Sequence, residues 1–159
     1  MKRLLIIFIL TLSFQSWSKA DDISDFEIEG MSIGDSLLDY FDENEINNNS
    51  HIPWKDKKTF SQYGNIGSFK AYEAITVAYL MNDKKFIIYE LTGRNIMEYN
   101  KCKKKIREIA LEIETLFKSA NKDDRGEYSH RIDKSKKSKV TSLNYHLNDG
   151  SIIHLGCYC

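Results

Sequence analysis

The sequence predicts an α+β domain: an antiparallel sheet of about four strands, built as two hairpins, packed by one long helix and preceded by one or two short N-terminal helices. Three observations carry this expectation. Tyr72–Met81 and Phe86–Leu91 are rich in β-branched and aromatic residues and are split by Asn82-Asp83, a hairpin signal. Val140–Leu147 and Ser151–Cys157 repeat the pattern around Asn148-Asp149-Gly150. Between the hairpins, Cys102, Ile106, Ile109, Ala110, Ile113, Leu116, Phe117 and Ala120 recur at steps of three and four, tracing one helical stripe.

The chain has 159 residues, 42% hydrophobic and 29% charged, enough for one ordinary domain. One proline and eight glycines exclude a collagen-like or Pro/Gly-rich disordered chain. A formal net charge of zero argues against a dedicated nucleic-acid binder, which is usually strongly basic.

The first segment, residues 1–20, reads as a signal peptide. Lys2 and Arg3 precede the apolar run Leu4–Phe14, and Ser18 and Ala20 supply small residues before a cleavage point at Asp21. The run is too short to span ~30 Å of hydrocarbon comfortably, so no membrane span is expected after cleavage. No cysteine stands at the cleavage point to take a lipid. The expected mature protein, residues 21–159, is a single α+β domain located in the periplasm or secreted. Cleavage removes Lys2, Arg3 and Lys19 and no carboxylate, leaving a net charge of −3.

Charge is uneven along that domain. Residues 21–50 carry ten acidic side chains and no basic one, and residues 51–159 a net +7. The plainer reading is an acidic arm lying near basic surface of the same domain; the functional one is an anion site uncovered when the arm moves.

Ser32-Ile33-Gly34-Asp35 fits a capping box, so a first helix is expected from Ser32, with Ile33, Leu37, Leu38 and Phe41 at helical spacing. A second short turn starts at Asp42 and runs toward Ile46 before Asn47-Asn48-Asn49. His51-Ile52-Pro53-Trp54 reads as extended. Residues 121–138 are polar and read as a loop. For the last hairpin a two-residue Asp-Gly turn would put Leu143, Tyr145 and Leu147 on the face of Ile152 and His154. A three-residue loop closed by a left-handed Gly150 aligns them with Ile153, Leu155 and Cys157. The second gives a continuous apolar face and is the expected register.

Four groups of residues are candidates for chemistry. Gly34-Asp35-Ser36-Leu37 spells the signature of the GDSL esterases and lipases and resembles it over four residues, with Ser36 as the implied nucleophile. The family's Asp and His, three residues apart near the C-terminus, have no counterpart here, and a serine without a base is inert. His146 and His154 fall as diagonal neighbours on the outer face of the last hairpin, where a metal ion with His130 as a third ligand is the alternative to two solvated imidazoles. Lys101–Arg107 and the loop residues Arg131, Lys134, Lys136, Lys137 and Lys139 could hold an anionic lipid, phosphate or peptidoglycan. Neither run has the interleaved aromatics that single-stranded nucleic acid favours.

The cysteines are Cys102, Cys157 and Cys159. In an oxidising compartment a pair is expected to be bridged. Cys102 faces the sheet from the helix stripe, and Cys157 follows Ile153 and Leu155 on the inward face. A Cys102–Cys157 disulfide is therefore expected, with Cys159 as the alternative partner and one thiol left over.

The opening Asp25-Phe-Glu-Ile-Glu-Gly-Met-Ser-Ile-Gly-Asp-Ser-Leu-Leu-Asp-Tyr-Phe41 resembles that of a group of small exported bacterial proteins of unknown function. The likeness extends to the hairpin, the Cys-bearing helix and the final strand with cysteine. It implies export and a fold, and no activity. A weaker likeness is to small lipoproteins of outer-membrane assembly, from which this chain departs by lacking the lipid-attachment cysteine. The expectation is a non-enzymatic binding or accessory domain with no cofactor. Its partner would be an envelope component or small ligand, not nucleic acid. A Ser36 hydrolase and a His146–His154 metal site are the alternatives.

Overall fold

The computed structural model describes residues 22–51, 60–65 and 69–159. The expected signal segment and Ile52-Pro53-Trp54 lie outside the described residues. Among the described residues no helix is long and apolar enough to cross a membrane.

After a 3-10 turn at Ile23–Asp25, β1 (Glu27–Ile28) and β2 (Met31–Ser32) form a small hairpin. Its two loop residues, Glu29 and Gly30, both have positive φ (55° and 81°), the backbone that suits a tight antiparallel turn. The capping-box expectation is corrected here. Asp35 does reach back to the Ser32 N–H (2.8 Å), as such a box requires. Ser32 nevertheless belongs to β2, its hydroxyl donates to the Phe26 carbonyl (3.4 Å), and Gly34 at φ 95° turns the chain away from a helix. Only a 3-10 turn follows, Leu37–Asp39, and its cap is Ser36, whose hydroxyl accepts from the Leu38 N–H. The second expected turn is a helix, α1 (Glu43–Asn49), capped by Asp42 and running through the asparagines.

The chain then forms β3 (Ser50–His51), β4 (Phe60–Asn65), β5 (Ala74–Leu80) and β6 (Ile88–Arg94), a four-stranded antiparallel sheet in that order. One core lies here: Leu37 and Ile46 are fully buried with Tyr63, Ile75, Val77 and Ile88. Helix α2 (Tyr99–Leu116) follows, then β7 (Asn121–Ser129), β8 (Lys139–His146) and β9 (Ile152–Tyr158), a three-stranded antiparallel sheet. The second core joins Ile106, Ala110, Ile113 and Phe117 to Leu143, Tyr145, Leu147, Ile153 and Cys157. The long helix thus packs on a sheet as expected, but on the second one alone. Leu116, assigned to the stripe, is exposed, and Ala120 lies beyond the helix end.

The α+β class and the two antiparallel hairpins hold; the single four-stranded sheet does not. Each hairpin recruits its own edge partner, β4 for β5–β6 and β7 for β8–β9, and each sheet closes a separate core. Residues 121–129, expected as loop, are β7. The strand has almost no apolar alternation because it is an exposed edge; its order comes from the backbone ladder with β8 and from a bulge between Asp124 and Glu127 at Gly126 (φ 60°). The N-terminal segment links the cores: Ile23 and Phe26 pack on the second, with Phe26 6.4 Å from the Phe117 ring, and Met31 is buried in the first.

The last hairpin has the expected register. Tyr145 pairs with Ile153 and Leu143 with Leu155, and Gly150 (φ 89°) closes a three-residue loop. Cys102 and Cys157 are bridged, with their Cα atoms 5.8 Å apart, and Cys159 is free and exposed.

Two stability measurements test this description by urea denaturation. Replacing Cys102 and Cys157 together by alanine should lower the unfolding free energy by up to about 4 kcal/mol, the chain-entropy value for the closed loop. Ser36→Ala should cost about 1–2 kcal/mol, because one hydroxyl both caps the turn and donates to the Lys85 carbonyl. Ser32→Ala should cost less; the reverse order would show that the cap is misplaced.

Candidate functional site

The inner face of the second sheet is occupied by α2, so its chemistry lies on the outer face and in the loop between β7 and β8. Along the outer face, side chains alternate out of the strands from Asn144 and His146 on β8 and from Ile152, His154, Gly156 and Tyr158 on β9. Asn144, His154 and Tyr158 of this face join Asp123 and Arg125 of β7 in one polar chain. Arg125 Nε donates to Asp123 Oδ2 (3.0 Å), which also faces the Asn144 amide nitrogen (3.5 Å). The Asn144 carbonyl lies 2.7 Å from His154 Nδ1, so Nδ1 carries the proton and Nε2 is left to accept from the Tyr158 hydroxyl (3.3 Å). Desolvation against the sheet, followed by the charge of Arg125, pulls the His154 titration below the ordinary imidazole range. Below this chain Ser142 is buried and bonded to the Tyr128 hydroxyl (3.2 Å).

Gly156 makes the His154–Tyr158 contact possible. A Cβ there would lie 2.8 Å from His154 Nε2 and 3.0 Å from the Tyr158 hydroxyl. The role of this glycine is invisible in the sequence, because it depends on two side chains closing over one strand position.

His146 and His154 are diagonal neighbours, as the register requires. Both ring nitrogens of His154 are already hydrogen-bonded, and His130 stands against the Tyr158 ring (6.2 Å) with its Nδ1 accepting from the Ile132 N–H. Among the described residues no group of three or more His, Cys, Asp or Glu is placed to hold a metal ion. Ser36 lies on the other sheet's side of the molecule, and its hydroxyl is committed to the Lys85 carbonyl at 2.6 Å.

The contact of His130 with Tyr158 joins the outer face to the basic loop. That loop is built, not slack. The His130 N–H donates to the Ser138 carbonyl and closes its ends (2.9 Å). Inside it the Asp133 carboxylate accepts from the Ser135 N–H, the Ser135 hydroxyl and the Ser138 N–H at 2.6–2.8 Å. The Ser135 hydroxyl above all, then the Ser138 groups, hold this carboxyl far below the usual carboxylate range. With the one internal acid spent on the backbone, Arg131, Lys134, Lys136 and Lys137 project outward, all exposed. Lys139, the fifth candidate, differs: it pairs with Glu127 (2.7 Å), which also takes Lys103 of α2 (3.2 Å). The two basic runs noted in the sequence therefore meet at Glu127, and Lys101, Lys104 and Arg107 continue the cationic surface along α2.

The sign of the Asp133 effect gives a measurable expectation. A carboxyl whose folded titration is depressed keeps its stabilising charge above its unfolded value and loses it only as pH falls through the lower folded one. The Ser135 and Ser138 amide resonances should hold their positions as pH falls through the ordinary carboxylate range near 4, and move only below it. Asp133→Asn should make both amides exchange faster at neutral pH.

No protein-family model, no curated protein and no solved structure matches this chain, so the site rests on its own geometry.

Proposed function

We propose that the chain is an exported, non-enzymatic binding or accessory domain, acting in the periplasm or outside the cell, that recognises an anionic envelope component through the 130–138 loop and the adjoining sheet face. The observation that carries the reading is the loop built around Asp133. Four cations stand on a backbone already ordered by hydrogen bonds, so an anion can be held with little further loss of loop freedom. The aromatic and imidazole groups of Tyr158, His130 and His154 continue that surface and suit the uncharged part of such a ligand. The Cys102–Cys157 bridge fits an oxidising compartment. The Ser36 hydroxyl, tied as a cap, supports a binding role over a hydrolytic one.

Sedimentation of residues 21–159 with vesicles of anionic phospholipid, with zwitterionic vesicles, and with purified peptidoglycan tests the reading. Binding should appear on an anionic probe and be absent on zwitterionic vesicles. The fourfold variant Arg131→Gln, Lys134→Gln, Lys136→Gln, Lys137→Gln should weaken it by on the order of a thousandfold, from about 1 kcal/mol for each cation removed near an anionic surface. Retained binding in that variant, or equal binding to all probes, would remove the loop from the site.

A further inference from the structure

The three-stranded sheet has two edges, and they are treated differently. Edge strand β7 carries Lys122, Asp123, Asp124, Arg125 and Glu127 and is bent by its bulge, the usual protections against pairing with another chain. Edge strand β9, Ile-Ile-His-Leu-Gly-Cys-Tyr, carries no charged residue, no proline and no bulge. Its ends expose Ile152 (57%) and Tyr158 (61%). Among the described residues nothing pairs with its outer side.

We propose that β9 is a self-association edge: two copies of this chain pair their β9 strands antiparallel about a two-fold axis at Leu155, making one six-stranded sheet. The hydrogen-bond register fixes this arrangement. Lys139 and Cys159 exchange both backbone bonds, so the odd-numbered residues of β9 point their backbone groups at β8. Ile152, His154, Gly156 and Tyr158 therefore point theirs outward, and this set is symmetric about Leu155. A two-fold at that residue sets Ile152 against the partner's Tyr158 and His154 against the partner's Gly156. The two exposed groups, Ile152 and Tyr158, cover each other across the pair.

Charge complementarity names a second copy as the occupant. At the Tyr158 end of β9 stand Lys139 and the loop with Arg131, Lys134, Lys136 and Lys137. They outnumber Glu127 and Asp133. At the Ile152 end stands Asp149, and the Ile23 backbone, in the 3-10 turn that Asp22 caps and Asp25 ends, lies near its carboxylate; Lys118 and Lys122 are cations of that end, the latter paired with Glu114. Antiparallel pairing brings the cationic end of each copy to the anionic end of the other, twice. Parallel pairing would set like ends together.

The test uses residues 21–159 with Cys159→Ser, so that no dimer can arise from the free thiol. Analytical ultracentrifugation should give twice the monomer mass, falling toward the monomer as salt rises. Ile152→Pro removes one outward N–H and an exposed side chain without touching the β8 ladder, and Ile152→Lys places a charge on the edge; both should be monomeric at the same concentration. Ile152→Val should remain dimeric. A folded Ile152→Pro protein that stays dimeric, or a parent protein that is monomeric throughout, overturns the proposal. The register is read separately with a spin label on Cys159 of the native chain. Eight residues at ~3.3 Å and a strand spacing of ~4.8 Å put the two Cα atoms about 27 Å apart; a dimer with any clearly different distance is not this one.

Discussion

The Cys102–Cys157 bridge is the constraint on which the second half of the molecule depends, because it secures the end of α2 that is least able to secure itself. Lys101, Lys103, Lys104 and Lys105 crowd the first turns of the helix, where the backbone dipole disfavours cations and where lysines three and four residues apart repel. Glu98 caps the N-terminus by accepting from the Asn100 and Lys101 N–H groups, and Glu127 neutralises Lys103 from β7. Exposed pairs of this kind contribute little each. The covalent link holds the same turns against β9, and from there Ile106, Ala110, Ile113 and Phe117 follow down the inner face of the sheet. At the far end, Tyr145 donates to Glu114, which also pairs with Lys122 of β7; burial first, then this carboxylate, push the Tyr145 phenol up to about 12. The helix is thus held at both ends, covalently at the charged one.

A helix fixed on the inner face leaves the outer face as the place where polar side chains can be arranged in contact with solvent. The Arg125-Asp123-Asn144-His154-Tyr158 chain needs three strands in a fixed register, since its members come from β7, β8 and β9 in turn. The basic loop needs the same thing at one end of the sheet. It leaves β7 at Ser129 and enters β8 at Lys139, residues that pair directly, and Asp133 orders what lies between. The acidic N-terminal stretch is placed elsewhere. Beyond Phe26 it wraps the other core, while Lys103–Glu127, Lys122–Glu114 and Lys139–Glu127 pair within the second. Arg131, Lys134, Lys136 and Lys137 of the loop are exposed.

The sequence disclosed these features unequally, for physical reasons. The β8–β9 register and the disulfide were legible because a period of two fixes which side chains share a face, and because only Gly150 could take the backbone that a three-residue loop requires. The strand β7 was not, since Asn-Lys-Asp-Asp-Arg-Gly-Glu buries nothing and forms only because β8 offers it a ladder. Ser32 misled because the capping box and the bend after β2 share one hydrogen bond, from the Ser32 N–H to Asp35; Gly34 decides between them, and its φ is a fact of the fold. The number of sheets was likewise hidden, as alternation gives the faces of a hairpin and leaves the partner of its edge open. For the candidate site, the positions of His154 and of the basic side chains could be read directly. That Asp133 organises the loop and that Gly156 admits the His154–Tyr158 contact could not, because both depend on atoms brought together from different turns of the chain.

The contrast between the two edges of the second sheet follows from the same division of labour. On β7 the backbone ladder with β8 does the holding, and the charges, which pair with α2 and with β8, keep other strands away. On β9 the disulfide and the apolar inner face do the holding, so no charge is needed there to fix the strand. A strand fixed that way presents its outward N–H and carbonyl groups at regular spacing from a rigid frame. Pairing with such an edge costs less ordering than pairing with a frayed one, since the backbone entropy was already lost when the helix docked. The chemistry that stabilises β9 from within is thus what leaves its outer side open, and what would make an added strand there bind as part of the sheet rather than as a loose contact.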